Sequence, residues 1–308
     1  MRRSDDELLN KAIIIVGVGR SGMNVLGEII ARHGSIATAA EPRLIWKYGN
    51  DRKSDMLRPD DARPKVVAHI RSRLAQLVRD QGKQRLVDVT PGNSLRLPFV
   101  NQVLPGCRFV HLIRDGVDNI LSKRRFYAVA GRRISGMPGS DFQTARASYM
   151  TRRLREVSLR QLHHAGMEVV RHVAPDWLLP IVGRPTLGVR LPAMGAMRRE
   201  ISLLEMCFMQ WRASAEMATQ YGRQLPPDRY MQCRLEELTP DTLRSILRFC
   251  ELDEEKLDLE FFEKRFDAKR IGPAKDDADP DEVRCVEQWV EPTMQWLSRC
   301  ESHGDPAA

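Results

Sequence analysis

The chain has 308 residues, 42% of them apolar and 29% charged, a balance that supports a buried core and excludes a disordered or collagen-like chain. Its formal net charge of +8 hides an asymmetry: residues 1–200 carry 35 basic and 18 acidic groups, whereas residues 201–308 carry 14 and 23. A basic front and an acidic back point to an anion handled by the first two thirds of the chain, and together with only 6% aromatic residues they oppose a nucleic-acid-binding coat.

Ala12 to Gly17 is a short apolar, β-branched run, the pattern of a strand buried on both faces. The glycine-rich run Gly17 to Gly22 follows, and behind it Val25, Leu26, Ile29 and Ile30 recur at helical spacing. A second strand is expected over Ser35–Ala39, a proline-containing loop over 49–63, and a helix from Val66 to Val78. Arg85–Val89 reads as a third strand, ending in Thr90-Pro91-Gly92, with a short helix near Leu95–Leu104. Cys107–Ile113 is the next strand and runs into Arg114-Asp115-Gly116 and a helix holding Ile120, Leu121 and Ser122. Residues 128–200 break the rhythm. Rich in Arg, Gly and Pro, with one helix expected at Thr144–Val173, they read as an insertion covering a site rather than as a second domain. Leu203–Tyr221 is expected to be a helix, Arg229–Cys233 the last strand, and Thr242–Cys250, Glu255–Phe266 and Glu282–Cys300 the closing helices. Strands alternating with helices imply the α/β class: a single domain over 1–308 with a central parallel sheet flanked by helices.

No run of about 18 apolar residues is present, so no transmembrane segment is expected, and the charged start Met1-Arg2-Arg3-Ser4-Asp5 has no apolar stretch behind it. The six cysteines form no Cys-x-x-Cys pair and no zinc-like spacing with histidine. A cytoplasmic protein with reduced thiols and no metal is the expectation.

Gly17 to Gly22 has the Gly-x4-Gly frame of a phosphate loop, in which backbone N–H groups and the following helix N-terminus face an anion. A nucleotide triphosphatase would continue with Lys and Ser or Thr, to reach the β- and γ-phosphates and to hold Mg²⁺. Here Met23 and Asn24 follow, and the cation sits inside the loop at Arg20, whose planar fork suits a tetrahedral oxyanion. The plainer reading of this segment is a glycine turn with a solvated arginine. A second candidate is Arg114, at the carboxyl end of a strand, where open α/β sheets bind ligands, with Ser122 two helical turns on. Its plainer reading is a local pair between Arg114 and Asp115 or Asp118.

Gly19-Arg20-Ser21-Gly22, and Arg114 with Ser122 in the frame Arg-Asp-Gly-x-Asp-x-x-x-Ser, resemble the two anion motifs of the sulfotransferase superfamily. These enzymes use 3′-phosphoadenosine 5′-phosphosulfate (PAPS) and release adenosine 3′,5′-bisphosphate. Leu104-Pro105 through Asp115, Trp211 and Arg234-Leu235-Glu236-Glu237-Leu238 are similar to further segments of that family, over about 11–126 and 201–266. The resemblance implies a P-loop-like fold. It implies that Gly19, Arg20 and the backbone of Ser21, Gly22, Met23 and Asn24 hold the 5′ group, and that Arg114 and Ser122 hold the 3′-phosphate. Arg124 or Arg125 adds charge, and Lys275 resembles a late basic loop over the nucleotide. It also implies that Glu41, in Ala40-Glu41-Pro42-Arg43, is the general base. The alternative for Glu41 is a salt bridge to Arg43 or Arg20, and His69 is the second candidate base.

Two departures from the family pattern stand out. Many members have Lys immediately before Thr-Pro or Asp-Pro, where this chain has Val89; Arg20, Lys123 or an arginine of the insertion then has to steady the leaving group. Met23-Asn24 replaces two hydroxyl residues. The implied reaction is sulfuryl transfer from PAPS to an acceptor hydroxyl without a metal. The arginines of 128–200, from Arg132 and Arg133 to Arg184 and Arg190, favour a carbohydrate or glycan acceptor, with a protein tyrosine or a small molecule as alternatives. Two other classes remain open: a P-loop kinase, and a nucleotide-binding protein with little or no transfer activity. Neither a nucleic-acid partner nor an oligomeric state is indicated.

Overall fold

Five short strands, β1 (Ile13–Gly17), β2 (Ile36–Ala40), β3 (Arg85–Val89), β4 (Arg108–Ile113) and β5 (Tyr230–Arg234), form one parallel sheet in the order β2-β3-β1-β4-β5 in the computed structural model. The structure describes residues 4–133, 187–197, 200–266 and 272–302, with six isolated positions between 161 and 178. The helices are α1 (Asp5–Leu9), α2 (Met23–Ala31), α3 (Arg43–Lys47), α4 (Pro64–Asp80), α5 (Leu97–Val103), α6 (Gly116–Arg133), α7 (Leu203–Gly222), α8 (Pro240–Phe249), α9 (Leu259–Arg265) and α10 (Pro280–Ser302), with short helical turns at Met194–Met197 and Pro273–Asp276.

The central strand β1 is apolar throughout because helices cover both of its faces. Ile14 and Val16 join one core cluster with Ile70 and Leu74 of α4 and Phe99 of α5. Ile13 and Ile15 join the other with Leu26 and Ile30 of α2 and Leu243 and Ile246 of α8. The chain leaves β1 towards β2 but leaves β4 towards β5. The chain direction therefore reverses between these two neighbouring strands, and the carboxyl edge at such a switch point is the usual ligand position in open α/β sheets.

Each strand lies within one residue of its expected span. α1 and α3 were not expected. α1 is closed by a capping box, Ser4 Oγ accepting from Glu7 N at 3.2 Å while the Glu7 carboxylate accepts from Ser4 N at 2.7 Å. α6 continues to Arg133, so the first residues assigned to the insertion complete a helix. The expected helix Thr144–Val173 falls almost entirely outside the described residues. All six cysteines are free. Among the described residues no helix is long and apolar enough to cross a membrane.

Candidate active site

The loop after β1 is shaped by close backbone approach. An ideal Cβ at Gly17 would lie 2.4 Å from the Leu112 carbonyl oxygen of β4, so glycine alone lets the two strand ends run together. Gly22, at φ +80°, begins α2, and a Cβ there would meet a Leu235 methyl at 2.6 Å. Side chains pin the loop from two directions. Ser94 Oγ accepts from Gly17 N at 2.8 Å and donates to Gly17 O at 2.7 Å. Asn119 of α6 donates through Nδ2 to Gly19 O at 3.2 Å and to Ser21 Oγ at 3.0 Å. Ser21 is fully buried, and its own N–H donates to Val18 O at 3.1 Å, so both its polar groups brace the loop from inside. No side chain caps α2. The amides of its first turn, at Met23 and Asn24, have no intrahelical acceptor and leave partial positive charge at the sheet edge.

Arg20 sits in this loop at φ +76°, a left-handed conformation that costs a non-glycine residue of order 1–3 kcal/mol and is typical of functional sites. Its guanidinium lies 5.2 Å from the centre of the exposed Phe126 ring. Partial burial, and next the charge of Arg114, hold it below its ordinary pKa.

Arg114, which follows β4, is 7% exposed. Its Nη1 donates to the Arg20 carbonyl oxygen at 2.6 Å, and its Nε donates to Asp118 at 2.7 Å, with Nη2 reaching the same carboxylate oxygen. The two candidate anion segments therefore touch, 94 residues apart in sequence. The local pair to Asp118 is present as well. Asp118, buried at 1% exposure, also accepts from the backbone N–H groups of Gly272 at 3.0 Å and Ala274 at 3.3 Å. It thus ties the Lys275 turn to the Arg114 loop. Replacing Asp118 by alanine strands a buried guanidinium and two amides; a loss of about 3–5 kcal/mol is expected in urea denaturation.

Ser122 lies half-buried on α6, two turns after Arg114. Arg125 Nη2 pairs with Asp277 at 3.0 Å, Arg124 with Glu282 at 2.8 Å, and Lys275 with Glu287 at 3.4 Å. The acidic end of the chain is thus folded onto the basic face of α6.

Glu41 follows β2 at φ +53°, a second strained non-glycine position. Its N–H donates to Val89 O at 3.0 Å, and its carbonyl accepts from Arg43 N at 2.7 Å. Among the described residues its carboxylate makes no ion pair. Arg43 instead donates to Gly188 O at 2.8 Å and lies 3.9 Å from Asp55. The Tyr127 phenol of α6, pushed well above its ordinary pKa by burial, feels the charges of Arg43, Glu41 and Arg20. Glu41 and Arg20 thus both lie within electrostatic range of the Tyr127 hydroxyl. His69 is elsewhere, stacked on Tyr48 with ring centres 3.5 Å apart.

A model of the sulfotransferase family, Sulfotransfer_3, matches residues 12–176. The chain belongs to the sulfotransferase family. A sulfotransferase from Alicyclobacillus acidocaldarius superposes with a TM-score of 0.52 at 13% identity, over 99% of this chain and 98% of that one. The sulfotransferase domain from the curacin biosynthetic pathway gives 0.50 at 14% identity, over 92% of this chain and 98% of that one. At these identities the two structures speak for the fold. Comparison with curated proteins returns no match.

Within this sulfotransferase fold Val89 is a core residue, 1% exposed. A Cβ at Gly27 of α2 would lie 2.5 Å from its Cγ2, so the side chain fills the notch that Gly27 leaves. Its neighbour Asp88 faces the opposite way and accepts from Trp46 Nε1 at 2.8 Å and Asn93 Nδ2 at 2.9 Å; burial pushes its carboxyl up to about 6. Beside it lies a buried ionic cluster that the sequence reading did not foresee. Asp55 lies 3.7 Å from Lys47, 3.7 Å from Arg96 and 3.9 Å from Arg43, and accepts from Arg190 N at 2.7 Å. Burial brings Lys47 down to about 7 and Arg96 to about 10. Asp55 N donates in turn to Arg190 O at 2.7 Å. Gln210 Nε2 of α7 donates to Leu187 O and Val189 O, both at 2.8 Å. Residues 187–190 of the insertion are thereby fixed against α3, Asp55 and α7. Arg190 itself donates to the carbonyls of Asp51 and Lys53.

Proposed function

We propose that the chain transfers a sulfuryl group from PAPS to an acceptor hydroxyl, with a carbohydrate or glycan as the acceptor class. The observation that carries this reading is the hydrogen bond from Arg114 to the Arg20 carbonyl at 2.6 Å, which joins two cationic loops at one sheet edge. The donor set fits a ligand with phosphate or sulfonate at both ends: guanidinium groups, an uncapped helix N-terminus and no carboxylate in the loop itself. Arg20, Gly19 and the amides of Gly22, Met23 and Asn24 hold the 5′ end. The Ser21 amide, committed to Val18, contributes through the loop shape. Arg114 and Ser122 hold the 3′-phosphate. Arg125 and Lys275 contribute charge by exchanging their exposed ion pairs, each worth at most about 1 kcal/mol, for the ligand.

PAPS supplies an activated sulfuryl group on a phosphate leaving group. The chain's part is positioning and charge stabilisation, as in other group transfers with loose transition states. Glu41 accepts the acceptor's proton through its carboxylate, and Arg20 donates to the oxygen that gains charge. The whole chain, 1–308, acts as one catalytic domain, and the insertion contributes to recognition of the acceptor. Its many arginines support an anionic or hydroxyl-rich acceptor. Incubating the protein with labelled PAPS and panels of glycans, tyrosyl peptides and small hydroxyl compounds tests this. Label transfer and a mass gain of one SO₃ on a glycan are expected. Transfer to tyrosine instead overturns the acceptor assignment, and transfer to nothing overturns the activity.

A further inference from the structure

α6 faces the anion loop along one stripe. Asn119 grips Gly19 and Ser21, and Phe126 lies under the Arg20 guanidinium. Residues three and four apart share a helix face, so Ser122 and Lys123 stand on α6 between these two contacts. Lys123 is 2% exposed. Its neighbours Arg124 and Arg125 are paired with Glu282 and Asp277, but among the described residues no carboxylate pairs with Lys123. The neighbours its ammonium has among the described residues are neutral: the Tyr127 ring, with the centre 5.9 Å from Nζ, and the Cys207 thiol of α7, which burial keeps protonated. A buried ammonium without a counter-ion is costly, and a site that binds anions recovers that cost when the anion arrives.

We propose that Lys123 is a further donor-binding residue: its buried ammonium, on the α6 stripe facing Gly17–Gly22, takes the charged 5′ end of the donor as its counter-ion. This rests on the reading of that loop as the site of the phosphosulfate group. It gives the site a second cation, supplied by α6. The chain thereby trades stability of the free protein for affinity.

The test is to compare the full-length wild type with Lys123→Met, which keeps length and apolar bulk, and Lys123→Gln, which keeps polarity. Each is melted without ligand, then titrated with adenosine 3′,5′-bisphosphate and, separately, with inorganic pyrophosphate. The free Lys123→Met protein is expected to melt no lower than the wild type. Both variants are expected to bind both ligands at least about tenfold more weakly, a difference of about 1.4 kcal/mol. Affinity within twofold of wild type in either folded variant overturns the proposal, as does a Lys123→Met protein that melts well below wild type and binds as well. A wild type that binds pyrophosphate but not the nucleotide defeats the nucleotide reading, while the pyrophosphate comparison still decides Lys123. A wild type that binds neither overturns both.

Discussion

Arg20→Ala is expected to reduce sulfuryl transfer from labelled PAPS by about 10²–10³-fold or more, the range seen when one preorganised donor to a developing oxyanion is removed. The reason is positional. Arg20 stands in a loop pinned by Ser94 and Asn119, and its carbonyl is held by Arg114. The backbone that carries it is therefore held in place at the sheet edge, and its exposed side chain, against the Phe126 ring, extends from a preorganised loop towards an incoming anion. The left-handed backbone supplies a control. Arg20→Gly removes the same guanidinium but relieves the φ +76° strain, so it is expected to be as inactive as Arg20→Ala and more stable by about 1 kcal/mol. Near-normal turnover in either variant contradicts the assignment of this loop.

Glu41→Gln is expected to lower kcat by about 10²–10⁴-fold, the usual contribution of a general base, and to leave the affinity for adenosine 3′,5′-bisphosphate within about twofold. The split follows from geometry. The Glu41 carboxylate makes no ion pair among the described residues, so its loss breaks no scaffold. Its backbone, bonded to Val89 O and Arg43 N, keeps the turn in place. Were Glu41 a structural carboxylate, nucleotide affinity and melting temperature would fall together with turnover. Calorimetric titration of the variant separates the two outcomes.

Much of this was legible in the sequence because the informative features are local. The β-branched runs of β1 and β4 announce strands buried on both faces, and the glycines at 17 and 22 announce a turn whose backbone is tightly approached. Arg114 and Ser122 stand eight apart, one at a strand end and the other two turns into a helix. What was not legible depends on partners far apart in the chain. Ser94 reads as an ordinary turn residue until it is seen bonded to Gly17, 77 residues away. Asn119 reads as a polar helix position until Gly19 and Ser21 are placed against it. The cluster around Asp55 joins residues from the 51–55 loop, α3, the turn before α5 and the insertion, and no spacing rule connects them. Val89 shows the converse. Its place in the motif suggests an absent cation, but strand alternation turns it to the Gly27 side and Asp88 to the polar side. Ser21 likewise keeps its place in the motif while its hydroxyl points inward.

The central claim is that the loops after β1 and β4 together hold a nucleotide phosphorylated at both the 3′ and 5′ positions. Isothermal titration of the full chain with adenosine 3′,5′-bisphosphate, beside adenosine 5′-monophosphate and Mg·ATP, tests it without knowledge of the acceptor. One saturable site is predicted, with the bisphosphate bound at least about tenfold more tightly than the monophosphate because only it reaches Arg114 and Ser122. Equal affinity for the two, or tighter binding of Mg·ATP, would contradict the account.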